Sequence, residues 1–277
     1  MRAYSSYKEI LNIINNYDPV GLVPTMGSLH KGHLSLIERA QIENKKVIIS
    51  IYVNPTQFND KDDFKKYPRN IKSDIEILKK FKNILVYTPN SKDIYKNKES
   101  SNQYDFGEFM KIMEGKNRPG HFDGVATIIE KLFNIFKPTN AYFGEKDFQQ
   151  LMLIRMLTEK LKLNIKIIGC KTIRESDGLA MSSRNTLMNK EERKTAVQIY
   201  KLLKKAEAMF SELNPEKIKK EIQKKAQMIK NLELEYFEII NLSKYFKSHI
   251  EKDEVRAFIA CKLGKIRLID NLNLLKN

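Results

Sequence analysis

Two histidines, His30 and His33, stand three residues apart in Pro24-Thr25-Met26-Gly27-Ser28-Leu29-His30-Lys31-Gly32-His33. On a helix this spacing puts both imidazoles on one face, and each can donate a hydrogen bond to a phosphate oxygen. The flanking residues set a helix start there. Val20 to Val23 reads as a buried strand stopped by Pro24, and Leu34, Ile37 and Ala40 return at helical spacing. A strand, a turn and a helix N-terminus offer unpaired N–H groups and the positive end of a dipole, a combination that suits an anion. Gly27 and Gly32 let a phosphate come close to the backbone. The plainer readings are a surface histidine pair or a weak metal site. A zinc protease is disfavoured, because that motif needs histidines four apart with a glutamate between them.

Other residues of the right type follow the later strands. Asn54-Pro55-Thr56-Gln57-Phe58 leaves a second strand, and the Asn54 and Gln57 amides can grip a hydroxyl and a carboxylate; plain turn chemistry is the alternative. Asp74 falls on a helix predicted over Ile71 to Lys80, either within reach of a magnesium ion or simply on the surface. Gly115 to Gly124, containing Arg118, His121 and Asp123, reads as a glycine-rich loop that folds over a substrate or makes a structural turn. Gly144-Glu145-Lys146-Asp147 repeats the strand-to-helix pattern, with Lys146 and Gln150 four apart on one face. A lysine there acts as a point charge on phosphate. Ser182, Ser183 and Arg184 offer two hydroxyls and a guanidinium in a small loop, a set that also suits phosphate.

These groups need a scaffold that gathers loop ends. Val47 to Val53, Ile84 to Tyr87, Asn140 to Phe143 and Ile165 to Gly169 are short β-branched or aromatic runs that read as strands. Strand, helix and strand in this order imply right-handed βαβ units on a parallel sheet, which binds ligands at the carboxyl ends of its strands. Helices are expected over Tyr4 to Asn15, from Phe106 to Glu114, and from Val125 to Phe136. Ser91 to Gln103 reads as a polar, mobile connection. After Asn185 the pattern changes. Lys190 to Leu213 and Pro215 to Asn231 read as amphipathic helices. Leu234 to Ile240 reads as a strand, and Val255 to Cys261 with Ile266 to Ile269 reads as a hairpin. The fold class is α/β. A Rossmann-like parallel-sheet domain is expected over residues 1–175 and a smaller α+β domain over 176–277.

The chain has 277 residues, is 42% hydrophobic and 30% charged, and contains no apolar run near the about 18 residues that cross a bilayer. No signal peptide is read at the N-terminus, and Cys170 and Cys261 suit a reducing compartment, so a cytoplasmic location with no membrane partner is expected. The formal net charge of +16 draws anions and makes a nucleic-acid binder a rival class. The lysines, however, alternate with glutamates and apolar residues along helices, and no nucleic-acid motif is present, so a solvated surface is the preferred reading.

His30-Lys31-Gly32-His33 after Pro24-Thr25-Met26-Gly27 resembles the HIGH-type signature of adenylate-forming nucleotidyltransferases, and Ser182-Ser183-Arg184 resembles their mobile KMSKS-type loop. With Asn54-Pro55-Thr56-Gln57-Phe58, Arg118-Pro119-Gly120-His121-Phe122, Gly144-Glu145-Lys146-Asp147 with Gln150, and Arg267-Leu268-Ile269-Asp270-Asn271, the whole chain resembles the pantothenate synthetase (pantoate–β-alanine ligase) family. The resemblance implies an ATP-dependent ligase joining (R)-pantoate to β-alanine through a pantoyl adenylate. It implies that Met26, Gly27, Ser28, Leu29, His30, Lys31, Gly32 and His33 hold ATP, with His33 a proton donor. It assigns Gly144, Glu145, Lys146, Asp147 and Ile173 to the nucleotide site, and Met181, Ser182, Ser183 and Arg184 to closure over the phosphates. Gln57 and Gln150 would bind pantoate, with Asn54 and Arg118 in support, and Gln57 would also bind β-alanine. Mg2+ accompanies ATP, with Asp74 as a candidate ligand; the C-terminal domain is a lid and the enzyme a homodimer. Asp123 departs from the family pattern, which leads one to expect a basic or small residue there. A nucleotidyltransferase with a different acid substrate remains the alternative.

Overall fold

The computed structural model describes residues 1–95, 98–246 and 254–275. It divides into two compact units, Met1–Lys171 and Thr172–Asn277.

The first unit is a six-stranded, wholly parallel sheet with helices. In chain order it runs β1 (Ala3–Tyr4), α1 (Tyr7–Ile14), β2 (Val20–Thr25), α2 (Lys31–Glu43), β3 (Lys46–Ile51), α3 (Lys61–Lys66), α4 (Ile71–Leu78) and β4 (Ile84–Tyr87). It continues through α5 (Ser91–Tyr95), α6 (Met113–Asn117), α7 (His121–Phe136), β5 (Asn140–Gly144), α8 (Phe148–Lys160) and β6 (Lys166–Cys170). The strand order is β1-β4-β3-β2-β5-β6. Val47, Ile48 and Ile49 have no exposed surface, as expected of a strand covered on both faces. From β2 the chain builds outward through β3 and β4, then returns to place β5 on the other side of β2. That reversal between β2 and β5 is a topological switch point, where open α/β sheets bind ligands.

Pro24 does not end its strand. β2 continues to Thr25, with Pro24 opposite Ser50 of β3. β5 pairs with β2 only at Gly21 and Leu22, so no ladder on that side requires the missing donor of Pro24.

The stretch from 91 to 124 also differs from the sequence expectation. Ser91 to Gln103 contains α5, whose Ile94 and Tyr95 are buried; residues 96–97 lie outside the described residues. Further along, the Asn102 N–H donates to Thr127 Oγ1 (2.8 Å) and the Tyr104 N–H to Asp123 Oδ1 (3.1 Å), so α7 holds this segment. Asp123, the residue outside the family pattern, thus has a structural task. Gly115 to Gly124 is largely helical, because tertiary packing overrides the weak helix propensity of glycine. Gly124 lies inside α7 against the turn that follows β3, where a Cβ would sit 2.4 Å from the Thr56 carbonyl oxygen and 2.7 Å from Gln57 Cα. Gly124→Ala is expected to destabilise the protein by about 1–3 kcal/mol, the range for overpacking a tight contact. Chemical denaturation measures this; an unchanged midpoint would show that α7 can move away at no cost.

The second unit contains α9 (Lys190–Met209), α10 (Pro215–Gln227), β7 (Glu233–Asn241), β8 (Val255–Leu263) and β9 (Ile266–Asn273). Its antiparallel sheet has the order β7-β8-β9, and β8 and β9 form a hairpin through Gly264 (φ +57°). Ile199, Leu203, Ile222 and Phe237 are buried in its core. Asn189 caps α9 in a reciprocal capping box with Glu192, and Pro215 occupies the first turn of α10 behind the Asn214 cap.

Candidate active site

The turn between β2 and α2 is held by its own hydrogen bonds together with bonds to Ser50 and Asp74. Thr25 Oγ1 donates to the Ser50 carbonyl (2.9 Å) and accepts the Gly27 N–H (3.2 Å). Gly27 (φ +81°) and Ser28 (φ +51°) are both left-handed, which reverses the chain. The Ser28 and Leu29 N–H groups then donate to the two oxygens of Asp74, at 2.9 and 2.7 Å. His30 caps α2: its Nδ1 accepts the Gly32 N–H (3.1 Å), while His33 Nδ1 accepts the His30 N–H (3.3 Å). The ring centroids are 4.1 Å apart.

Two expectations change here. The sequence reading offered the first backbone N–H groups of the helix to an anion. Within the helix the Gly32 N–H is taken by the His30 imidazole, and ahead of it those of Ser28, Leu29 and His30 are taken by Asp74 and His33. Asp74 is not a surface residue, being 2% exposed, and both of its oxygens accept from the turn. This corrects its reading as a surface residue; among the described residues no group of three or more His, Cys, Asp and Glu side chains is placed to hold a metal ion.

The same bonds fix where the imidazole protons lie. With Nδ1 an acceptor in both rings, a neutral ring carries its proton on Nε2. Burial, followed by the positive influence of His30 and of Lys146, pushes the His33 imidazole down to about 3. His33 is therefore neutral at pH 7, and His30 and Lys146 share its electrostatic neighbourhood. Its folded pKa lies below the unfolded value, so the unfolded chain binds the proton first as pH falls. The stability arising from this group is complete above about pH 6.5 and is lost as pH drops toward 3. Proton NMR is expected to show no His33 transition between pH 8 and 5; a transition near pH 6.5 would contradict the assignment.

Lys146 lies in a 3-10 turn, Glu145–Asp147, directly after β5, with its side chain 19% exposed and its Nζ 3.5 Å from Asp147 Oδ1. The imidazoles follow β2 and the ammonium follows β5, the two strands that flank the switch point. Gly144, Glu145 and Asp147 belong to the same crossover, and Met26 and Lys31 to the histidine turn.

Gln57 is buried beside that turn. Its Nε2 donates to Met26 Sδ (3.0 Å), and its Oε1 accepts from Asn54 Nδ2 (3.2 Å). One amide N–H and one carbonyl lone pair remain. Asn54 has no such capacity. Its Nδ2 serves Gln57 and the Gly124 carbonyl, and its Oδ1 accepts from Thr56 Oγ1 and Tyr95 Oη. Asn54 thus holds Gln57 in place. Arg118 acts similarly. It donates to His121 Nε2 (2.9 Å) and the Gln57 carbonyl (3.3 Å) and lies 3.5 Å from the buried Glu114. His121 Nδ1 donates to that same carbonyl (2.8 Å). Two adjacent glutamines on α8 separate by role: buried Gln149 is bonded to Glu114 N–H and the Phe109 and Ile112 carbonyls, whereas half-buried Gln150 makes no side-chain hydrogen bond among the described residues.

In the second unit, Ser182 Oγ accepts the Arg184 N–H (3.3 Å), Ser183 is buried, and the Met181 N–H donates to the Ile173 carbonyl (3.0 Å). Arg174 anchors this loop to β9 by a bidentate pair with Asp270 (2.6 and 3.0 Å), and Arg193 on α9 holds Glu175 (2.7 Å) and Asp177 (2.8 Å). The sequence reading did not identify these anchors, nor Asp74 and His121 as organisers. Each has a partner remote in sequence, and composition carries no signal of that kind.

A parallel sheet with polar side chains and a lysine gathered at its switch point defines an α/β protein of the nucleotide-binding type. The pantoate-beta-alanine ligase family model matches residues 1–273. The pantothenate synthetase of Flavobacterium psychrophilum is 47% identical over 92% of both chains, and that of Aquifex aeolicus is 41% identical over 97% of both. The crystal structure of the Thermus thermophilus pantothenate synthetase superposes with a TM-score of 0.92 at 34% identity, covering 100% of both chains. A pantoate-beta-alanine ligase from Francisella tularensis, complexed with beta-gamma ATP and β-alanine, superposes at 0.84 with 38% identity, covering 100% of this chain and 99% of that one. The chain belongs to the pantoate-beta-alanine ligase family, and is a ligase of pantothenate biosynthesis that binds ATP.

Proposed function

We propose that the chain activates (R)-pantoate with ATP and transfers the pantoyl group to β-alanine. A pantoate carboxylate oxygen attacks the α-phosphorus, the bond to pyrophosphate breaks, and pantoyl adenylate forms. The β-alanine amine then attacks the acyl carbon, the bond to AMP breaks, and the amine loses a proton as pantothenate forms. No covalent enzyme intermediate is required. The protein aligns the reactants and stabilises charge on phosphate.

His30 and His33 present Nε2–H donors to the triphosphate, and Lys146 neutralises charge as pyrophosphate leaves. A neutral His33 donates a hydrogen bond without releasing its proton. The free half of the Gln57 amide and the unbonded amide of Gln150 suit the hydroxyls and carboxylate of pantoate, and Gln57 also meets β-alanine. Gly144 to Asp147 and Ile173 line the nucleotide. Met181, Ser182, Ser183 and Arg184 close over the phosphates, with the second unit as lid. Magnesium enters with ATP as part of the substrate. No helix among the described residues is long and apolar enough to cross a membrane, and both cysteines are free and buried, which supports a cytoplasmic enzyme. The homodimer follows from family analogy alone, and sedimentation tests it.

The observation that supports the reading is that His30 and His33 follow β2 and Lys146 follows β5, the two strands flanking the switch point, with His30 and Lys146 both acting electrostatically on His33. Incubation of the protein with ATP, pantoate and β-alanine is expected to release AMP, with each omission abolishing it. AMP release that persists without pantoate would identify a different acid.

A further inference from the structure

We propose that Asp74 is a positioning residue that fixes the tautomers of His30 and His33; only the kinetic part of this rests on the phosphate-binding function proposed above. Asp74 reaches from α4 into the turn after β2 and is almost wholly buried. Its two oxygens take the Ser28 and Leu29 N–H groups. It also packs on Gly27, where a Cβ would lie 3.0 Å from Asp74 Oδ2. The turn it holds is an uncommon one, since Ser28 adopts a left-handed conformation that side chains seldom occupy. The next residue after Leu29 is His30, whose N–H is directed at His33 Nδ1, while His30 Nδ1 faces the Gly32 N–H. The carboxylate therefore sets the backbone, the backbone sets which ring nitrogen accepts, and the acceptor sets the proton on Nε2 of each ring.

A carboxylate is the group suited to this task, because both of its oxygens only accept. An asparagine offers one acceptor and one donor, so one backbone N–H would face another donor. Asp74→Asn is expected to release the turn, with the His30 and His33 protons distributing over both ring nitrogens. His121 provides an internal control. Its Nδ1 donates to the Gln57 carbonyl, so it holds the opposite tautomer, away from the turn.

The test is 15N NMR of the full chain labelled at histidine, of which there are four, each assigned by single replacement. In the unaltered protein His30 and His33 should show Nε2–H and His121 Nδ1–H. In Asp74→Asn the first two should become mixtures while His121 stays unchanged, which excludes general unfolding. The rate of adenylate formation should fall at least tenfold with an unaltered magnesium requirement. Asp74→Glu, which keeps a carboxylate, should retain more of the Nε2–H form. Should Asp74→Asn fail to fold, Gly27→Ala presses on the same carboxylate from the opposite side and should produce the same mixture. Unchanged tautomers in a folded variant overturn the proposal. Activity restored by excess magnesium also overturns it, by making Asp74 a metal ligand. The NMR result stands even if the chain forms no pantoyl adenylate.

Discussion

Lys146→Ala lowers adenylate formation by roughly a hundredfold or more, about 2.7 kcal/mol of lost transition-state stabilisation. Lys146 stands at the exit of β5, and its charge reaches His33 across the switch point. In the proposed reaction charge grows on pyrophosphate as the bond to the α-phosphorus breaks, and the largely buried Lys146 ammonium would meet it there. The loss should appear chiefly in the turnover rate, since the interaction strengthens as the reaction proceeds. Stability should change little, because the ion pair to Asp147 is loose and its carboxylate is half-exposed. Rapid-quench measurement of pyrophosphate release decides this; a variant within a factor of three of the parent would remove Lys146 from the mechanism.

His33→Asn should be comparably inactive, again by roughly a hundredfold, yet remain folded. The asparagine carbonyl oxygen lies near the place of the imidazole Nδ1 and can still accept the His30 N–H, so the capping arrangement survives. What disappears is the outward Nε2–H. His33→Ala removes both and should lose stability as well, by about 1 kcal/mol for the lost cap. The pair of variants separates the two roles of the ring: a single-turnover assay reads the donor and a denaturation midpoint reads the cap. Equal activity of His33→Asn and the parent would show that the imidazole only closes the turn.

Legibility in the sequence followed the range of the interaction. Ile84 to Tyr87 was readable at its full extent because a short β-branched and aromatic run has few ways to be buried. The histidine helix was readable for a similar local reason, its caps and apolar residues lying within one stretch of chain. Gly115 to Gly124 was misread because the glycines that suggest a loop instead permit close packing, Gly124 on Thr56 above all. Asn54 has the right chemistry for a substrate contact and is used up by four protein partners, all hydrogen-bonded to it but only two close in sequence. Asp74 illustrates the limit best. It lies 45 and 46 residues from the N–H groups it holds, and nothing around it in the sequence points to them.

A crystal structure of the protein with a non-hydrolysable ATP analogue tests the central claim most directly. His30 Nε2, His33 Nε2 and Lys146 Nζ should each lie within about 3 Å of triphosphate oxygens, the hydrogen-bond range. A triphosphate bound away from the ends of β2 and β5, with the three groups touching none of it, would contradict it.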